Sequence, residues 1–199
     1  MLTTGRMMLC VNDHIAELDE ERTEQLIASL PEWRRDEALR YRHLQGMREC
    51  AVGYVELLRG LRLAFGLECL PSFTYNEHGK PFLPDHPEIH FSISHCKEAV
   101  GCLVSDSPCG LDIECIRPVK EGLVRHTMNS QEVETIFSSA CPSLAFTRLW
   151  TQKEAVLKLK GTGITDDLRN TLEPDRIRGI MLHTVENPLR GYVLTTANE

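Results

Sequence analysis

Apolar positions along the chain fall into two spacings, and the change from one to the other marks the elements. Met7 to Val11 is a short apolar run followed by Asn12 and Asp13, which predicts a first strand with a turn or helix cap after it. From His14 to Leu30 the apolar residues Ile15, Leu18, Leu26, Ile27 and Leu30 recur at helical spacing, and Pro31 ends the stretch. Glu32 to His43 predicts a second helix and Met47 to Phe65 a third, with Gly66 as its stop. Leu70 to Pro87 carries Pro71, Gly79, Pro81, Pro84 and Pro87, so an irregular surface segment is expected. A loop of that length in a small domain is often functional. Ile89 to Ser94, Ala99 to Ser105 and Gly110 to Ile116 then predict three strands.

The second half repeats this order. Helices are predicted at Val119 to Met128, Ser130 to Ser138 and Leu144 to Lys160, and strands at Ile177 to His183 and Gly191 to Thr196. Each half reads strand, helices, strand, strand, although no residue-by-residue repeat accompanies the order. The expectation is an α+β fold of two similar halves, 1–106 and 107–199. Each half is a small antiparallel sheet packed with helices, and a cleft lies where the halves meet.

Composition narrows the function classes without choosing one. With 199 residues, 42% hydrophobic and 26% charged, the chain can bury a core without disulfides or structural metal. It has no run of about 18 apolar residues, and Met1 to Val11 lacks the features of a secretory signal, so a cytoplasmic protein with no membrane partner is expected. Its 8 cysteines include no CxxC pair, which favours reduced thiols. The net charge of −7 argues against nucleic acid as a partner. Arg34, Arg35, Arg40, Arg42 and Arg48 nevertheless crowd together, forming either a site for a small polyanion or a solvated helix face.

The candidate chemistry sits in GLDIE at 110–114 and WTQKEAVLK at 150–158. On a strand, Asp112 and Glu114 leave one face while Leu111, Ile113 and Cys115 leave the other. Two adjacent carboxylates either stand on an exposed strand edge or share a cation, and an all-oxygen set suits Mg²⁺ completed by substrate phosphates. Trp150, Glu154 and Lys158 follow one another at i, i+4 on a helix, which adds a third carboxylate and a cation. FSISH at 91–95 offers Ser92 and Ser94 on one strand face and His95 at the strand's end, the latter a phosphate donor or a satisfied core histidine. Neither serine sits in GxSxG, no Ser-His-Asp arrangement stands out, and no Walker A or GxGxxG pattern occurs.

In order and separation, NEHGKPFLP, FSISH, GLDIE and WTQKEAVLKLKGTGI resemble the motifs of the 4'-phosphopantetheinyl transferase family. The likeness is to its larger monomeric members, of the type that activates surfactin synthetase, rather than to the short trimeric synthases. The four motifs cover residues 76–164, and the Arg-rich segment at 32–48 extends the likeness. The resemblance implies a pseudo-twofold monomer with coenzyme A in the cleft, whose phosphopantetheine arm passes to a serine of an apo acyl or peptidyl carrier protein. It further implies Mg²⁺ on Asp112, Glu114 and Glu154, with Lys158 neutralising the reacting phosphate. Lys80 and Pro81 would join the nucleotide pocket, and Ser94 with His95 would meet the nucleotide 3'-phosphate. Arg48 with Arg34 or Arg35 would add phosphate contacts, Trp150 would support the metal helix, and Glu132 would help activate the serine. Trp33 and Asp36 stand where some relatives have lysines, and residues 127–137 are a candidate carrier surface. A Mg²⁺-dependent phosphodiesterase or nucleotide hydrolase would use the same carboxylates with water as acceptor.

Overall fold

The computed structural model describes residues 5–68, 72–163 and 168–199. Strand β1 (Met7–Asn12) is followed by a 3-10 turn at Ile15–Glu17 and helices α1 (Glu20–Ala28), α2 (Glu32–Leu39) and α3 (Leu44–Phe65). A short hairpin, β2 (Thr74–Tyr75) and β3 (Pro81–Phe82), precedes β4 (His90–His95), β5 (Val100–Ser105) and β6 (Cys109–Cys115). Helices α4 (Glu121–Thr127), α5 (Ser130–Ser138) and α6 (Pro142–Lys160) come next, and β7 (Met181–Asn187) and β8 (Tyr192–Asn198) close the chain. The fold is α+β, with small antiparallel sheets and six α-helices among the described residues.

Several expected boundaries move, each for a local reason. The helix expected over His14 to Leu30 is broken at Leu18, which is extended, because Asp19 turns its carboxylate back to accept from the Arg22 amide and starts α1. The segment expected to be irregular contains the hairpin β2–β3, closed by Asn76, whose side chain accepts from the His78 and Lys80 amides. Its Leu70 and Pro71, like Ile164 of the fourth motif, lie outside the described residues. The strand expected from Ile177 begins at Met181, because 177–180 is taken up by turns that close on Glu173 and Ile177 carbonyls.

Two three-stranded sheets carry the fold, ordered β1-β5-β4 and β6-β8-β7. Each sheet places the third strand of its half in the middle, where β5 is wholly buried and β8 nearly so. Helix α3 covers the first sheet through Leu57 and Leu61 against Phe91, Cys102 and Val104, and α6 covers the second through Ala155 and Leu159 against Ala197. Leu103 of β5 packs with Leu111, Ile113 and Leu194 of the second sheet in a shared core.

The edges β4 and β6 face each other without a backbone ladder between them. Instead the Leu111 amide donates to Ser92 Oγ at 3.0 Å and the Ile113 amide to Ser94 Oγ at 3.1 Å, all four groups buried. An unsatisfied buried donor costs about 1–3 kcal/mol, so these two hydroxyls let an exposed sheet edge become an interior seam. Gly110 brings α6 onto the same seam: a β-carbon there would lie 2.0 Å from the Ala155 carbonyl oxygen. Among the described residues no helix is long and apolar enough to cross a membrane, and seven cysteines are free thiols.

Candidate active site

The seam between β4 and β6, roofed by α6, gathers most of the residues singled out in the sequence. Strand alternation sends Asp112 and Glu114 toward α6, where Glu154 and Lys158 lie one helical turn apart. Lys158 Nζ is 2.7 Å from Asp112 Oδ1 and 2.9 Å from Ser94 Oγ, and the Ser94 hydroxyl donates to the same Asp112 oxygen at 3.0 Å. Ser94 is therefore saturated, with two bonds accepted and one donated. Its position is at the carboxylates.

Electrostatics marks the site as short of positive charge. Burial pushes the Glu114 carboxyl up, the neighbouring Asp112 pushes it further, and an indole hydrogen bond from Trp150 with Arg117 and Lys158 only partly offsets them. Burial likewise raises Glu154, with Asp112 and Glu114 adding to the rise and Lys158 opposing it. Asp112 Oδ2 and Glu154 Oε1 are buried with no hydrogen-bond partner among the described residues. Natural interiors rarely leave such oxygens unmatched, and a hard cation is the partner that oxygen atoms of this kind accept best. Among the described residues no three Asp, Glu, His or Cys side chains already close into a metal cage. The Lys158 ammonium instead occupies Asp112 Oδ1. The chemistry of the donor set, three carboxylates at one seam with two unpartnered oxygens, fits a hard divalent ion.

Beside the carboxylates opens a cavity of about 280 Å³ lined by Gly79, Lys80, Pro81, Ser92, Glu154 and Lys158, among others. Lys80 reaches it with its stem, while its ammonium donates to the Leu159 carbonyl at 2.8 Å and the Cys109 carbonyl at 3.3 Å. Asn76 donates to the Gly161 carbonyl at 3.2 Å. The hairpin loop thus satisfies free carbonyls at the end of α6, where Gly161 takes the left-handed conformation that closes the helix. A side chain at Gly161 would also crowd Lys80, at 2.9 Å from its Cδ.

The remaining residues of the sequence reading are distributed differently. His95 leaves β4 on the face opposite Ser94 and meets Glu49 of α3. Arg48, the residue before Glu49, donates weakly to Thr23 Oγ1 at 3.4 Å. The Arg34 guanidinium is buried against Glu37 at 2.6 Å, the Cys50 carbonyl at 2.9 Å and the rings of Tyr54 and Phe73. Its charge serves the packing of α2 on α3, whereas Arg35 is only partly buried. Glu132 caps α5 by accepting from the Asn129 amide, and the same oxygen lies 2.8 Å from the Nζ of fully buried Lys153. Lys153 also donates to the Leu168 and Arg169 carbonyls. Trp150 stacks on Phe146 at 5.9 Å and walls a second cavity of about 370 Å³, bounded by Glu114, Arg117, Lys120 and Leu123.

Sequence reading alone misses Glu49, Asn76 and Lys153. A lysine at helical spacing between Leu149 and Leu157 and a Gly inside an acidic strand are signals that could have pointed to Lys153 and to the close approach at Gly110.

Comparison with known proteins finds relatives of one family. Residues 108–195 match the model of the 4'-phosphopantetheinyl transferase superfamily. The chain is 26% identical over 151 residues to 4'-phosphopantetheinyl transferase Sfp of Bacillus subtilis (strain 168), covering 74% of this chain and 67% of that protein. It is 30% identical over 158 residues to 4'-phosphopantetheinyl transferase psf-1 of Bacillus pumilus, covering 74% and 66%. A further 4'-phosphopantetheinyl transferase of Bacillus subtilis is 26% identical over 145 residues, 71% of this chain and 65% of that protein. The chain therefore spans about two thirds of the length of these relatives. In its motifs and in these matches, the chain is similar to the 4'-phosphopantetheinyl transferase superfamily.

Proposed function

We propose that the chain transfers the 4'-phosphopantetheine arm of coenzyme A to a serine of an apo acyl or peptidyl carrier protein, releasing 3',5'-ADP. The observation that carries this reading is the pair of orphaned carboxylate oxygens, on Asp112 and Glu154, beside Lys158 and the 280 Å³ cavity. Matching strand orders in the two sheets support a pseudo-twofold monomer of two halves, 1–106 and 107–199, with the nucleotide held at their seam.

A magnesium ion held by Asp112, Glu114 and Glu154 would neutralise charge on the pyrophosphate of coenzyme A. The chain's own residues do the rest. Lys158 places a cation against the non-bridging oxygens of the reacting phosphate, exchanging its bond to Asp112 for one to the substrate. Glu154, or a water that it polarises, accepts the proton of the attacking serine hydroxyl. Arg35, Arg48 and His95 hold the 3'-phosphate. Glu132 braces α5 on α6 through Lys153, and so fixes the phase of the helix that carries Glu154.

Carrier recognition falls to the surface of α4 and α5. Leu123 and Phe137 are exposed there, with Arg117, Lys120 and Arg125 around them, although the whole chain is acidic. This mixture suits the negatively charged helix that most carrier domains present. The setting is the cytoplasm, where carrier proteins work.

Release of 3',5'-ADP measured with and without apo carrier tests the reading. Carrier-dependent release supports transfer, and equal release in its absence identifies a hydrolase using the same carboxylates. Glu154→Gln should lose at least about a hundredfold in rate, and a variant as fast as wild type would remove Glu154 from proton transfer.

A further inference from the structure

We infer that Glu49 is a positioning residue for the nucleotide end of the site, holding the imidazole of His95 by one nitrogen and presenting the other to the 3'-phosphate of coenzyme A. The inference rests on coenzyme A being the donor, as proposed above.

Helix α3 runs along the outer face of β4, and one of its stripes meets alternate residues of the strand. Leu57 packs with Phe91, and Gly53 is small where Ile93 Cγ2 would lie 3.2 Å from a β-carbon. Glu49, one turn earlier, meets His95. Spacing of four on the helix and two on the strand therefore delivers Glu49 to the imidazole as part of the core packing.

The contact is built rather than incidental. Glu49 Oε2 lies 3.2 Å from His95 Nδ1, and Oε1 accepts from Gln45 Nε2 at 2.8 Å. Gln45 in turn reaches the Lys97 carbonyl, just past the end of β4. The Glu49 side chain is only 15% exposed, against 47% for His95. Burial alone would push the Glu49 carboxyl up, and the hydrogen bonds from His95 and Gln45 outweigh it, leaving it below the usual range. A carboxylate accepts only, so it holds a proton on Nδ1 and leaves Nε2 to carry the second proton of an imidazolium, whose N–H can donate to a phosphate oxygen. An exposed ring without this anchor would have to be ordered by the ligand itself.

The test compares coenzyme A with dephospho-coenzyme A, which lacks only the 3'-phosphate, in the wild type, Glu49→Ala, Glu49→Gln, His95→Ala and the Glu49→Ala/His95→Ala double variant. Glu49→Ala should raise KM for coenzyme A by roughly five- to tenfold, with the effect on KM rather than kcat and much smaller for dephospho-coenzyme A. Glutamine, whose carbonyl can still accept from Nδ1, should recover most of the loss. In the His95→Ala background the Glu49 change should add nothing. Equal effects on the two donors, additive effects, or a lower KM for coenzyme A in Glu49→Ala would overturn the inference. If the wild type transfers from neither donor, the proposed function fails and takes the inference with it, whereas transfer unaffected by Glu49→Ala sinks the inference alone. Side-chain ¹⁵N shifts of His95 in the unaltered protein give a second check that needs no variant. Nδ1 should be protonated in the free protein, Nε2 should move to the protonated range on adding 3',5'-ADP, and the reverse assignment or an Nε2 left unprotonated would contradict the proposal.

Discussion

Gly110 lies so close to Ala155 that the backbone of β6 touches the backbone of α6, with room for a hydrogen and nothing larger. This contact sets the distance between the strand that carries Asp112 and the helix that carries Glu154. Gly110→Ala should force the two elements apart and cost about 3 kcal/mol or more, above the usual range for a single added methyl because backbone atoms cannot move aside. The contrast is Gly122→Ala, where a β-carbon meets nothing within 4 Å, and which should be neutral or stabilising by up to about 1 kcal/mol. Urea unfolding of both variants measures the difference.

Ser92 and Ser94 separate structure from chemistry at the seam. Ser92→Ala leaves the buried Leu111 amide without an acceptor and should cost about 1–3 kcal/mol, with the activity of the folded protein largely kept. Ser94→Ala removes the acceptor of Ile113 and also a contact of both Lys158 and Asp112, so it should lower stability and turnover together. Denaturation midpoints set beside rates per folded molecule distinguish the two.

The raised carboxyls of Glu114 and Glu154 make stability depend on pH in a direction that can be worked out. A carboxyl raised on folding favours the folded state fully below its unfolded value near 4.5, and that contribution is lost as pH climbs through the raised folded value. In chelator these two residues should therefore cost stability on going from about pH 4.5 toward neutrality. Added Mg²⁺ should restore it near pH 7 and do little at pH 4.5, where protons already occupy the site. Glu154→Gln should be more stable than wild type in chelator at pH 7 and should lose most of the response to Mg²⁺. Thermal unfolding across the pH series checks each part.

Lys153 and Glu132 form a buried pair whose removal from one side should be costly. Lys153→Met leaves Glu132 without its ammonium partner and should destabilise by about 3–5 kcal/mol. Adding Glu132→Gln in the same chain should recover part of this, since the leftover charge is gone while the amide oxygen can still accept from the Asn129 amide. Equilibrium unfolding of both variants reads the coupling.

The parts of this protein that were legible in its sequence are those whose signal is local. Strand and helix periodicity locates β1, β4, β5 and β6 and the long helices α3 and α6 within a few residues. The geometry that joins them is not local. Ser92 and Ser94 read as polar positions on a strand, and only the meeting of two sheet edges shows them serving the amides of β6. The resemblance puts Lys80 in the nucleotide pocket, and its ammonium turns to the end of α6, because free helix carbonyls within reach are acceptors that a periodicity does not reveal. Arg34 and Arg35 are adjacent in sequence and alike in charge, and the 100° step between them on α2 sends one into the core and leaves the other partly exposed. The acidic constellation was legible because strand and helix spacing each fix a face. Its character as a site came from burial, which leaves Asp112 Oδ2 and Glu154 Oε1 without partners.

The most direct test of the account is the intact mass of an apo carrier domain after incubation with this protein, coenzyme A and Mg²⁺. The carrier serine should gain one phosphopantetheine, with no gain when that serine is replaced by alanine and a strongly slowed gain with Glu154→Gln. A panel of acyl and peptidyl carriers left unchanged in mass, while 3',5'-ADP accumulates from coenzyme A alone, would contradict it.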